Sequence, residues 1–209
     1  MKHFLSIEIQ KLFCYNTNAF AGMVELVIQK FLGVIADMET SIEKIEIGLK
    51  KYIKIMSTLK KTDVSQDKDF QRLFNGFYRM RQQPANFYIC FYQFLEQQKF
   101  NTNLTYPQVL THLYNETGRI HASFSSKLLA TVCPDMPVWD KHVLENLELQ
   151  PPKYYEKNRF EKVVAIYNNI CNWYQTQEAK SMIPIFEEYF PDANISNTKK
   201  IDLILWQTR

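Results

Sequence analysis

Ser41-Ile42-Glu43-Lys44-Ile45-Glu46-Ile47-Gly48-Leu49-Lys50-Lys51-Tyr52-Ile53-Lys54-Ile55-Met56 decides the fold class. Apolar side chains recur at Ile42, Ile45, Leu49, Ile53 and Met56, with Lys and Glu filling the positions between them. That spacing makes one apolar stripe on a helix, whereas a strand would need strict alternation. Upstream, Ala19 to Ala36 repeats the helical pattern. Downstream, Asp63-Val64-Ser65-Gln66-Asp67 is a polar break that supplies an N-cap for a helix through Arg81. Pro84 fits the first turn of the next helix, whose face carries Phe87, Phe91, Phe94 and Leu95. Further helices are predicted over Tyr106–Glu116, Ile120–Val132, Trp139–Leu147, Tyr155–Gln175, Ile183–Tyr189 and Thr198–Gln207. The breaks between them are Thr117-Gly118, Cys133-Pro134-Asp135, Gln150-Pro151-Pro152 and the segment Pro191 to Asn197.

The expectation is an all-α chain of 209 residues forming a single compact multi-helix domain, and 46% apolar residues are enough for its core. A composition shift near Thr62 divides an amphipathic helical N-terminal layer (1–62) from an aromatic-rich helical core (63–209). The 25 Lys and Arg against 22 Asp and Glu leave a formal charge of only +3, which excludes a dedicated nucleic-acid coat but leaves a local basic patch open. Cys14, Cys90, Cys133 and Cys171 are far apart and form no CxxC pair, so no metal site and no cofactor are expected. Ala19 to Met38 is interrupted by Glu25, Gln29, Lys30 and Asp37, which argues against a membrane span. Met1 to Gln10 lacks the apolar core of a signal peptide, so the expected location is the cytoplasm, with reduced thiols.

Two segments collect chemistry-bearing residues. Phe74-Asn75-Gly76-Phe77-Tyr78-Arg79-Met80-Arg81 interleaves aromatics with Arg79 and Arg81, a mixture that suits phosphate contacts beside base stacking. Its plain reading is core packing, because Phe70, Phe74, Phe77 and Tyr78 share one helical face. The second segment runs from Thr117-Gly118-Arg119-Ile120-His121 through Ser125-Ser126-Lys127 to Pro137-Val138-Trp139-Asp140-Lys141-His142. It reads as helix, proline-bounded turn, helix. Asp140 is placed to cap the second helix and Lys127 is near enough in sequence to approach it. His121 and His142 have the acid-base range for catalysis, although a lone histidine is more often structural.

Lys127, the apolar run after it and Pro137-Val138-Trp139-Asp140-Lys141-His142-Val143 resemble the end of the helix-hairpin-helix DNA glycosylase signature. The resemblance covers Gly118 to Leu144. It implies a compact helical scaffold on which a lysine attacks the sugar carbon of a flipped nucleotide, an aspartate at the next helix start assists, and hairpin amides hold phosphate. Asp140 matches the aspartate. Lys127 is a displaced candidate for the nucleophile, 13 positions before it (140 minus 127), which is shorter than the family spacing. His121 is the positional neighbour that the family spacing reaches, and only Gly118 stands for the hairpin's two glycines. The Ser-Ser-Lys to Pro-Val-Trp-Asp arrangement, with the Phe74 to Arg81 segment upstream, also looks like a widespread group of bacterial helical proteins with no assigned activity.

The resulting expectation is DNA binding on a glycosylase-like scaffold, active or degenerate. Lys127, Asp140 and His121 are the catalytic candidates, and Gly118, Arg119, Lys141, Arg79 and Arg81 the nucleic-acid contacts. Two alternatives stand beside it. One is a helical protein-interaction module, self-association included; the other is an enzyme on a small molecule in a pocket of Tyr78, His121 and Trp139.

Overall fold

Most of the described helices begin at a side chain able to accept hydrogen bonds from the first free amides. The computed structural model describes residues 40–80 and 83–206, and no strand occurs among them. Helix α1 covers residues 40–59. α2 (Lys68–Phe77) starts at Asp67, whose carboxylate accepts from the Asp69 and Phe70 amides. α3 (Ala85–Gln98) follows directly on Pro84. α4 (Tyr106–Thr117) opens with the Thr105 amide donating to Gln108 Oε1 at 2.9 Å and closes on Gly118, which takes the left-handed conformation at φ 67° that helix ends favour. α5 (Ala122–Val132) comes next, then α6 (Lys141–Asn146), which Asp140 caps, and α7 (Arg159–Trp173). The C-terminal group is α8 (Gln177–Lys180), α9 (Met182–Tyr189) and α10 (Asn197–Leu205), the first and last capped by Thr176 and Ser196.

Contacts group the described residues from Lys44 onward into one compact unit. The predicted helix over Ala19 to Ala36, most of the layer assigned to residues 1–62, and Arg81 lie outside the described residues. Within them the expected helices are present with shifted ends. α7 begins at Arg159 rather than Tyr155 because Lys153 to Glu156 close a turn first, the Glu156 amide donating to the Lys153 carbonyl at 3.1 Å. The α1 stripe holds at Ile45 and Leu49, then moves to Tyr52, Ile55 and Leu59, leaving Ile53 exposed. Tyr52 takes the inward place because its ring packs on Phe77 and lies over the Lys199 ammonium.

Phe70, Phe74 and Tyr78 of the α2 face are buried against Phe87, Phe91, Tyr92 and Leu95 of α3. The plain reading as core holds for these three, while Phe77 is only half-buried. Each such side chain is worth roughly 1.5–3 kcal/mol on burial. Two ring pairs fix the α4 and α7 directions: Tyr106 stacks on Tyr167 at 3.7 Å and Tyr114 meets Phe160 at 6.4 Å, so the helices run antiparallel. The start of α7 therefore lies beside the end of α4. α1 crosses α10 at Gly48, where a Cβ would stand 3.3 Å from Leu203 Cδ2, so the missing side chain permits the approach. Ser196 and Thr198 hydroxyls donate to the carbonyls of Pro134 and Asp135, tying the start of α10 to the turn before α6. No described helix is long and apolar enough to cross a membrane.

Candidate functional site

The α5–α6 connection brings Lys127 and Asp140 to one cleft of about 510 Å³. Two hydrogen bonds from two helices hold the turn that carries Asp140. The Trp139 amide donates to Ser126 Oγ at 2.8 Å, and the Tyr167 hydroxyl donates to the Pro137 carbonyl at 2.8 Å. Asp140 then caps α6, its Oδ1 accepting from the His142 amide at 3.1 Å, as its position in the sequence predicts. Lys127 lies one residue after Ser126, so the same bond that fixes the turn also fixes the distance between amine and carboxylate.

Lys127 is 6% exposed, and among the described residues its ammonium has no hydrogen-bond or ion-pair partner; the Phe124 ring lies 5.6 Å away. Burial holds it below the ordinary lysine range, Asp140 opposing that shift and Arg79 adding to it. A partly desolvated, unpaired amine is the form a nucleophilic lysine needs.

The walls of the cleft add Lys44 and Lys51 from α1, Arg79 after α2, and Lys141 at the start of α6. With Lys127 these make five cations in a lining whose one carboxylate is Asp140, Lys141 also pairing with Glu145 at 3.4 Å, so a chain of nearly balanced charge gathers positive charge here. Phe77, Tyr78 and Trp206 supply the aromatic part of the lining, with ring centroids 4.7 to 6.0 Å apart. Arg79 reaches the cleft through an unfavourable backbone. It occupies the left-handed position after the cap of α2 at φ 51°, in a Schellman closure where the Met80 amide donates to the Asn75 carbonyl at 2.9 Å. Glycine is the usual residue there, and the presence of a Cβ costs about 1 kcal/mol.

Beneath Tyr78 and Trp206 is a second lysine. Lys199 and Asp202 are fully buried, Nζ to Oδ2 at 2.6 Å, and the Tyr174 hydroxyl donates to Asp202 Oδ1 at 2.6 Å. Tyr52 and Trp206 rings lie 5.1 Å from the Lys199 ammonium and Tyr78 at 5.8 Å. Burial works against the charge, but Asp202 and the surrounding tyrosines raise the Lys199 pKa above its ordinary value.

The remaining predicted residues fall elsewhere. His121 and Arg119 line a separate hollow of about 190 Å³ with Glu116 and Phe87, at the opposite end of α5's first turns from the cleft. His121 is buried against the Phe87 ring at 4.6 Å, its Nε2 lacks a partner among the described residues, and burial together with Arg119 lowers its pKa. The hairpin amides are used internally: Gly118 donates to the Tyr114 carbonyl and Arg119 to Thr117 Oγ1. Tyr78, His121 and Trp139 do not share a pocket, since Trp139 is buried in the core. No group of His, Cys, Asp and Glu among the described residues is arranged to hold a metal ion. Lys44, Lys51 and Trp206 were not singled out from sequence. The signal for the first two is the Lys44, Gly48, Lys51 spacing, which puts both amines on one helical face around the glycine. Comparison with protein-family models, curated proteins and solved structures gave no match for this chain.

Proposed function

We propose that this chain binds DNA across the cleft on a glycosylase-like scaffold, with Lys127 as an amine nucleophile and Asp140 as its proton acceptor. The observation that carries the reading is Lys127 itself: a nearly buried amine without a partner among the described residues, opening on a cleft walled by cations. Arg79, Lys141, Lys44 and Lys51 would meet backbone phosphates, so affinity would fall as salt rises. The neutral Lys127 amine adds to the sugar C1′ as the bond to the base breaks, and the base departs with the bonding pair. The proton released from the new ammonium passes to Asp140, and opening of the sugar ring leaves an imine between Lys127 and the sugar.

The test is a low-salt mobility assay on duplexes carrying normal, oxidised, alkylated and abasic sites, with parallel borohydride trapping. The parent should shift at least one duplex and form a trapped adduct that Lys127→Ala abolishes while keeping most of the binding. Arg79→Ala should weaken binding without unfolding the chain. Binding without any trapped species overturns the nucleophile, and no shift on any duplex overturns the DNA reading.

A further inference from the structure

The segment before α7 presents an aromatic pair that the cleft does not use. Tyr154 and Tyr155 are 85% and 78% exposed, the two most exposed large apolar side chains of the described residues. They are the two central residues of a closed turn. The Glu156 amide donates to the Lys153 carbonyl at 3.1 Å, the Lys153 amide donates back to Glu156 Oε1 at 2.7 Å, and Lys162 holds the other carboxylate oxygen at 2.6 Å. Pro151 and Pro152 stiffen the approach to the turn. The rings are therefore held out into water by a braced backbone, and a binding partner would not have to order it.

The chemistry around the pair is cationic. The Arg159 guanidinium lies 5.6 Å from the Tyr154 ring centre and the Lys153 ammonium 6.0 Å from that of Tyr155. Arg159 Nε is buried without a hydrogen-bond partner among the described residues. Glu156, the acidic residue of the turn, is already engaged by Lys162. Lys153 and Lys157 have no ion pair among the described residues. The antiparallel α4–α7 pairing puts this turn at the end of α4, beside the hairpin that carries the exposed Arg119. Cations next to each ring would attract phosphates, while the exposed ring surface accepts a flat apolar group.

We infer that the Lys153–Arg159 turn is a docking surface for single-stranded nucleic acid, with Tyr154 and Tyr155 stacking on unpaired bases while Lys153, Lys157, Arg159 and Arg119 meet the backbone. An unpaired strand fits better than a duplex because its bases expose the π-faces that stacking needs. This rests on the proposed DNA reading and extends it: the chain would favour substrates with a single-stranded stretch.

Fluorescence anisotropy on the full chain separates the possibilities, using a labelled oligothymidine of about 15 nucleotides and an intact duplex of the same length. Tyr154→Ala/Tyr155→Ala should weaken oligothymidine binding by roughly tenfold or more and leave duplex binding within about twofold. Tyr154→Phe/Tyr155→Phe should bind as the parent does, because stacking needs the ring and not the hydroxyl. Oligothymidine binding that survives the double alanine substitution, or that falls equally with phenylalanine, overturns the inference while the cleft reading stands. If Arg79→Ala and Lys141→Ala leave duplex binding unchanged while the tyrosine variants lose oligothymidine, the cleft reading fails and the turn survives. A parent that binds neither oligonucleotide removes both.

Discussion

Two lysines separated by a layer of aromatic side chains show how differently one protein can treat the same charge. Lys199 is sealed beneath Tyr52, Tyr78 and Trp206 with a carboxylate at 2.6 Å, so its ammonium is stabilised and inert. Lys127, on the cleft side of Tyr78 and Trp206, is almost as buried but has no counter-ion among the described residues. The first arrangement serves the fold, because removing either partner strands the other. The second works against the fold, since a desolvated unpaired cation opposes stability, and such sites persist where an anion or a reaction uses them.

The largest effect that would sharpen this contrast is Lys199→Met. It leaves Asp202 buried with its charge uncompensated and should destabilise the protein by roughly 3–5 kcal/mol in urea denaturation. Adding Asp202→Leu should recover much of that loss. If the single variant is as stable as the parent, the sealed pair is not structural. Tyr167→Phe comes next. It removes the donor to the Pro137 carbonyl and should cost about 1–3 kcal/mol, with slower borohydride trapping because the Asp140 turn is held by one bond fewer.

Lys127→Met should behave in the opposite sense, stabilising the chain by roughly 0.5–2 kcal/mol while abolishing trapping. Its pH dependence follows from the lowered pKa. The folded chain holds the Lys127 proton less tightly than the unfolded chain does. Relative to Lys127→Met, the parent should therefore gain stability as pH rises through the lowered folded-state value, and stop gaining near the ordinary lysine value of about 10.4. Parallel stability curves across that range would contradict an unpaired, desolvated amine. The smallest effect concerns Arg79→Gly, which should relieve the left-handed backbone and raise stability by about 1 kcal/mol at most, yet weaken duplex binding. Stability and affinity rising together would show that Arg79 does not meet phosphate.

Much of this fold was legible in the sequence because its determinants are local. Asp67, Pro84, Gly118 and Asp140 mark helix ends in a few residues each, and the aromatic faces of α2 and α3 follow the helical period. The Lys127–Asp140 approach was legible too, since only a short proline-bounded turn separates the helices. What was not legible depends on tertiary placement. His121 precedes Lys127 by six positions, and at about 100° per residue that turns it some 120° away on α5, into the other hollow. Lys44, Lys51 and Trp206 come from opposite ends of the compact unit and meet at the cleft only once α1 crosses α10. The Lys199–Asp202 spacing of three suggests an exposed helical pair, and nothing local reveals that both are buried.

The four bonds that hold the segment before Asp140 also set a timetable. They close over separations of 13, 30, 62 and 63 residues. A chain emerging from the ribosome can join Trp139 to Ser126 early and Pro137 to Tyr167 later, but Pro134 and Asp135 must wait for Ser196 and Thr198. Until α10 has emerged, Trp206 is also missing from the cleft. The Lys127 amine thus reaches its final surroundings only after α10 has been made, although Lys44, Lys51 and Arg79 of the same cleft precede it in the chain.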